Sequence, residues 1–134
     1  MKSLLSILVV LIIISSCRKQ PPALNENFIS VNKCQSFTKE GNTITCCVDS
    51  VIQDSRCPIG AMCIWQGIAV GRFLVKSNNE NHVITLATSE FPPYTRDTIV
   101  AGYKIEFINL LPQKEISKSF NYDDYIAEVK VTKP

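Results

Sequence analysis

Ile68-Ala69-Val70-Gly71-Arg72-Phe73-Leu74-Val75-Lys76 sets the architecture. Ile68, Val70 and Leu74 occupy one alternating phase, and Ala69, Phe73 and Val75 the other. A strand apolar on both phases reads as covered on both faces, and therefore as central to a sheet. Ser77-Asn78-Asn79-Glu80-Asn81 is turn composition, and His82 to Thr88 then returns as a partner strand, giving a hairpin. Upstream, Thr43 to Val51 is rich in β-branched residues and is preceded by the turn signal Glu40-Gly41-Asn42. Downstream, Tyr103, Ile105 and Phe107 alternate with Lys104 and Glu106, the pattern of a half-buried strand. Its continuation, Ile108 to Pro112, shifts phase and predicts a bulge or the end of the strand. Ala127, Val129 and Val131 alternate in a last strand. The paired prolines of Phe91-Pro92-Pro93-Tyr94 cannot donate to a ladder, so this segment is extended or looped. Gln113 to Phe120 has room for a short helix but no broad apolar face. Six or seven short antiparallel strands separated by turns favour an all-β, single sandwich-like domain over a barrel.

The start of the chain carries a different signal. Met1-Lys2-Ser3 is basic, Leu4 to Ile14 is apolar apart from Ser6, and Ser15-Ser16 precede Cys17. This is the layout of a secretory signal. It is too short for a spanning helix, which needs about 20 apolar residues. The Ile14-Ser15-Ser16-Cys17 ending resembles the lipobox of bacterial lipoproteins. That resemblance implies lipidation of Cys17 and cleavage just before it. It divides the chain into a signal peptide at 1–16, a lipidated Cys and tether at 17–27, and the β domain at 28–134. Two acyl chains give stable anchoring where one does not, so the expected partner is a membrane, reached through the lipid. Arg18-Lys19-Gln20-Pro21-Pro22 is polar and Pro-containing, suited to a tether. Arg18 rather than Asp after the cysteine points to the outer membrane.

Removing Lys2 brings the 14 Lys and Arg close to balance with the 12 Asp and Glu. No basic surplus remains for a nucleic-acid partner. Apart from Cys17 there are Cys34, Cys46, Cys47, Cys57 and Cys63, an odd number for an oxidising compartment. Cys57 to Cys63 encloses Pro58 and Gly60, a good frame for one disulfide. Cys46 and Cys47 are adjacent, so in a strand they face opposite ways and only one readily pairs with Cys34. The spacing does not choose between them; Cys46 is the working assignment, with one buried free thiol left over. Cys46, Cys47, Cys57, Cys63 and His82 are the rival set for a metal. They contain no C-x-x-C pair, so neither metal nor cofactor is expected.

Asp54-Ser55-Arg56-Cys57-Pro58 followed by Cys63-Ile64-Trp65-Gln66-Gly67 is the most distinctive segment. It resembles a D-S-R-C-P…C-x-W-x-G pattern of small secreted or lipid-anchored proteins of Bacteroidetes type. The likeness extends loosely to Gly102–Ile105 and Tyr125–Ala127. Gln66 stands where that pattern has Ala. The resemblance implies an extracytoplasmic β domain and supplies no catalytic residue. Physically, Asp54 and Ser55 can start a turn, and Arg56 can pair with Asp54 or brace loop carbonyls with its planar fork. Trp65 is expected to pack at the start of the central strand, which would make the motif a structural corner. The competing reading presents Arg56, Trp65 and Met62 to an envelope protein partner, since Arg and Trp are enriched at interface hot spots.

No catalytic set is evident. His82, the single histidine, lies beside an Asn-rich turn and reads as an exposed or edge-strand residue. There is no G-x-S-x-G elbow, phosphate-binding glycine loop or H-E-x-x-H. Asp123-Asp124 with Glu128 lacks calcium-loop spacing and reads as a solvated strand entrance. The sequence therefore favours a lipid-anchored envelope protein with a binding or structural role. A hydrolase, a thiol-redox enzyme using the unpaired cysteine, and a protease inhibitor presenting the Cys57–Cys63 loop are the alternatives.

Overall fold

A computed structural model describes residues 26–134. The segments expected as signal and tether, with Cys17, lie outside the described residues through residue 25, so the fold bears on neither lipidation nor cleavage. Eight strands form two four-stranded antiparallel sheets, a β-sandwich. They are β1 (Phe28–Ser30), β2 (Cys34–Lys39), β3 (Asn42–Asp54), β4 (Ala69–Ser77), β5 (Glu80–Ala87), β6 (Asp97–Val100), β7 (Tyr103–Leu111) and β8 (Ile126–Thr132). One sheet runs β1-β8-β7-β6 and the other β2-β3-β4-β5. The strands beyond the expected six or seven are short edge elements with little periodicity of their own. No helix forms at residues 113–120; a 3-10 turn spans Tyr122–Asp124.

Three hairpins close one end of the sandwich with two-residue turns. Their central pairs are Glu40-Gly41, Asn78-Asn79 and Ala101-Gly102, all six residues with positive φ. Left-handed backbone at both positions matches the right-handed twist of the flanking strands. The Asn-rich turn is thus tighter than its composition suggests: pairing resumes at Ser77 opposite Glu80. The opposite end carries the long connections, residues 55–68 between β3 and β4 and residues 112–125 between β7 and β8.

β4 lies between β3 and β5, an interior position in its sheet. Its inward phase, Ala69, Phe73 and Val75, joins Ile44, Cys46, Val48 and Leu86 against Ile105, Phe107, Leu110, Ala127 and Val129 of the other sheet. Phe73 meets Phe107 edge-on at 5.1 Å between ring centroids, a favoured aromatic geometry. The outward phase is covered by smaller means. Tyr94 packs over Ile68, Val70 and Ala87, and Leu74 stands in register with Cys47, whose disulfide lies on that face. β7 carries the anticipated bulge, between Phe107 and Asn109. Burial accordingly passes from Tyr103, Ile105 and Phe107 to Leu110.

The cysteines need one correction. Cys34 is bonded to Cys47, not to Cys46, and Cys57 is bonded to Cys63. Cys34 and Cys47 are directly opposed in the β2–β3 register. Ile44, Cys46 and Val48 share the phase that faces the core, so Cys46 is the buried free thiol.

Candidate functional site

The loop end of the sandwich is organised around Asp54, the last residue of β3. Its carboxylate accepts hydrogen bonds from Arg56 Nε and Nη2 at 2.8 Å each and from Tyr125 Oη at 2.7 Å. The Arg56 backbone N–H adds a bond of 3.2 Å to the same carboxylate, closing a local turn. Arg56 also donates to the carbonyls of Leu110, on the opposite sheet, and of Pro112, just past that strand, the second at 3.1 Å. The guanidinium therefore performs both tasks open to it from sequence, pairing with Asp54 and bracing carbonyls. Burial pushes the Asp54 carboxyl up, but the hydrogen bonds from Arg56 and Tyr125 and the Arg56 charge outweigh it. The net result is a pKa below the ordinary carboxylate value. Tyr125 moves the other way, up to about 12, from burial and from its bond to the Asp54 carboxylate.

This network fixes residues 55–68 from below. Ser55 N–H donates to Ile68 O at 2.8 Å, and the Ser55 hydroxyl accepts from Ile68 N–H at 3.1 Å. Cys57 N–H reaches Gln66 O at 3.0 Å, Ile59 N–H reaches Lys114 O at 2.8 Å, and Lys114 Nζ caps the Asp54 carbonyl at 2.9 Å. Gly67 has φ +66° and lies so close to Ser55 that a Cβ there would stand 1.9 Å from the Ser55 carbonyl oxygen. Only glycine fits that crossing. The Cys57–Cys63 disulfide then closes the outer turn.

The motif divides by burial. Arg56 is largely buried and all three guanidinium nitrogens are engaged, so it positions the loop and is not free to contact a partner. Met62 and Ile64 are fully exposed, and Trp65 is 73% exposed. Trp65 does not pack at the start of the central strand. The turn at Gly67 separates it from β4, and Tyr94 takes the covering role instead. Two adjoining cavities flank this tip, both lined by Gln66, Gly67 and Ser89. The smaller, about 330 Å³, also includes Trp65 and Phe91. The larger, about 520 Å³, runs toward Asn109 and Gln113. The Phe91–Tyr94 segment, distant in sequence, thus lies beside Trp65, with Phe91 exposed and Tyr94 packed inward.

The remaining candidates lie elsewhere. Burial raises the Cys46 thiol to about 12, so it carries almost no thiolate at neutral pH. His82 is half-exposed on the edge strand β5, 3.4 Å from Glu80. Asp123 and Asp124 are exposed in the 3-10 turn, Asp123 accepting from Asn32. Among the described residues, no three His, Cys, Asp or Glu side chains converge as a metal site. Sequence reasoning missed Tyr125 and Lys114 as members of the brace. Neither has a local pattern that announces a contact across the sandwich. No family model, curated protein or solved structure matches the chain.

Proposed function

We propose that this protein is a lipid-anchored component of the bacterial cell envelope, outer membrane by preference, with a binding role exercised at the loop end of the sandwich. The observation that carries the reading is the exposure of Met62, inside the Cys57–Cys63 ring, together with Ile64 and Trp65 immediately after it. Large apolar side chains grouped in water mark interaction surfaces more often than isolated ones do. The buried Asp54–Arg56–Tyr125 brace and the backbone bonds of the loop order it in advance, so association loses less entropy. The basic and apolar start ending at Cys17, and the likeness to Bacteroidetes-type lipid-anchored proteins, support the envelope setting. A thiol-redox role is disfavoured by the inert environment of Cys46.

Crosslinking of the native lipoprotein in intact envelopes tests the binding role. Wild type is compared with a Met62→Ala/Ile64→Ala/Trp65→Ala variant, whose exposed positions leave folding intact. A crosslinked envelope component, protein or polysaccharide, that disappears in the variant supports the reading. Unchanged products, or none from wild type, refute it. Cys17→Ala should transfer the protein from the membrane to the soluble fraction, and undiminished detergent partitioning would remove the lipid anchor.

A further inference from the structure

We infer that the groove beside Trp65 takes a neutral glycan, a sugar ring lying against the exposed aromatic faces while its hydroxyls meet the amide and hydroxyl side chains of the rim. The inference rests on the binding role proposed above and names the chemistry of its ligand. Sugars present two kinds of surface. Their C–H faces stack on aromatic rings, and their hydroxyls both donate and accept hydrogen bonds. A site for them combines solvent-facing aromatics with groups of the same dual capacity, and amides and hydroxyls have it.

The loop end supplies both halves. Trp65 and Phe91 line the smaller cavity and remain exposed, at 73% and 48%. Gln66 and Ser89 belong to both cavities, and Gln113 extends the larger one. Among the described residues these three side chains are not engaged with protein groups, whereas neighbouring polar groups are. Thr88 accepts from Ala69 N–H, Asn109 accepts from Leu110 N–H, and Ser55 bonds Ile68. The spare capacity is therefore concentrated where the two cavities join. Together they enclose space suited to a short oligosaccharide, within the usual range for ligand clefts of about 300–1,000 Å³.

Charge argues against an anionic ligand. Only Arg56 and Glu90 bring formal charges to the lining. Arg56 is committed to Asp54 and to two carbonyls, and Glu90 accepts from Arg96 N–H at 2.9 Å. Among the described residues, the lining leaves no free cation to hold a phosphate, sulfate or carboxylate.

Trp65 is the single tryptophan of the chain, so tryptophan emission, excited where tyrosine does not absorb, reports this site alone. The full-length lipoprotein in a polyoxyethylene detergent is titrated with malto-, cello-, chito- and xylohexaose. Oligogalacturonate, choline, an apolar octapeptide and phosphatidylglycerol vesicles serve as comparison probes, and calorimetry repeats each titration. A saturable response to at least one neutral hexaose is expected, weakened about three- to tenfold in Gln66→Ala and in Ser89→Ala. Trp65→Phe, read by calorimetry, should keep most of the affinity and Trp65→Ala should lose it. Silence of every neutral hexaose in both readouts overturns the inference, as does a response confined to a comparison probe or binding unchanged in all four variants. If envelope crosslinking depends on the Met62–Trp65 tip while the hexaoses fail, the recognition surface stands and the glycan falls. If both fail, the binding role falls with it.

Discussion

Replacing Asp54 by alanine removes the one carboxylate that holds Arg56 and Tyr125 together beneath the loop. Its side chain is 1% exposed and that of Arg56 is 12% exposed, so water does little to screen the loss. Deleting one member of a buried ion pair costs about 3–5 kcal/mol, because the other charge stays buried without compensation. The Tyr125 hydroxyl loses its acceptor as well, by itself a penalty of about 1–3 kcal/mol. These effects share one network and do not add, so a total of about 3–5 kcal/mol is expected. That is a large part of the roughly 5–15 kcal/mol that holds a domain folded. Asp54→Asn keeps the shape and an acceptor for Tyr125, and should cost less, about 1.5–3 kcal/mol, the value of hydrogen bonds to a charge. Arg56→Ala leaves Asp54 buried with no cation, held only by Tyr125 and the backbone N–H of residue 56, and should come close to Asp54→Ala. The double variant removes both charges, so it should fall far short of the sum of the two singles. The assay is urea unfolding without reductant, followed by far-UV circular dichroism, with slopes compared to verify that the unfolded state is unchanged. Single losses below about 1 kcal/mol, or additive losses in the double variant, would refute the view that this pair holds the loop end.

The same network predicts two pH limits. Asp54 has a lowered folded pKa, so its contribution is present above its unfolded value of about 3.9 and is lost as pH falls through the lower folded one. Tyr125 is raised to about 12, so its contribution is complete below about pH 10 and is lost as pH climbs from there toward 12. In Tyr125→Phe, unfolding free energy measured against pH should show a smaller alkaline decline, and in the Tyr125→Phe/Cys46→Ala double variant, which also removes the raised thiol, a smaller one still. Gly67→Ala forces a Cβ into the Ser55 carbonyl and should destabilise the loop end by more than about 1 kcal/mol, lowering the melting temperature; wild-type stability would show that the crossing relaxes freely. The thiol of Cys46 should resist alkylation in the native protein and react on denaturation. Cys46→Ala should retain both disulfides by intact mass, whereas Cys47→Ala should leave Cys34 free. Rapid native labelling at Cys46 would contradict its burial.

Much of the sandwich was legible because period-two burial writes itself into the residues. Ile68–Lys76, Tyr103–Phe107 and Ala127–Val131 name their own faces, and the phase shift after Phe107 announces the bulge. β1 and β6 were not legible, since strands of three or four residues pair as edges and need no alternation of their own. The Cys34 partner was within reach. Phe37 is three residues from Cys34, so if Phe37 faces the core, Cys34 faces out, toward the outward Cys47. That inference requires knowing that residues 34–39 form a strand paired with β3, and six residues with one buried side chain do not declare it.

The β-rich pattern, the disulfide frame at Cys57 and Cys63, and the local chemistry of Asp54, Ser55 and Arg56 can all be read from the chain before it folds. Each depends on neighbours within a few residues. Tertiary structure alone decided which half of the motif is buried. Arg56 finds its remaining acceptors at Leu110 and Pro112, and Asp54 finds Tyr125, all far along the chain, in β7 and the β7–β8 connection. Trp65 is left outside because Gly67 turns the chain before β4 begins, and Tyr94, brought in from another loop, already covers Ile68 and Val70. A tryptophan beside an apolar strand reads as core in any local window. Its exposure is a property of what else reaches that strand first.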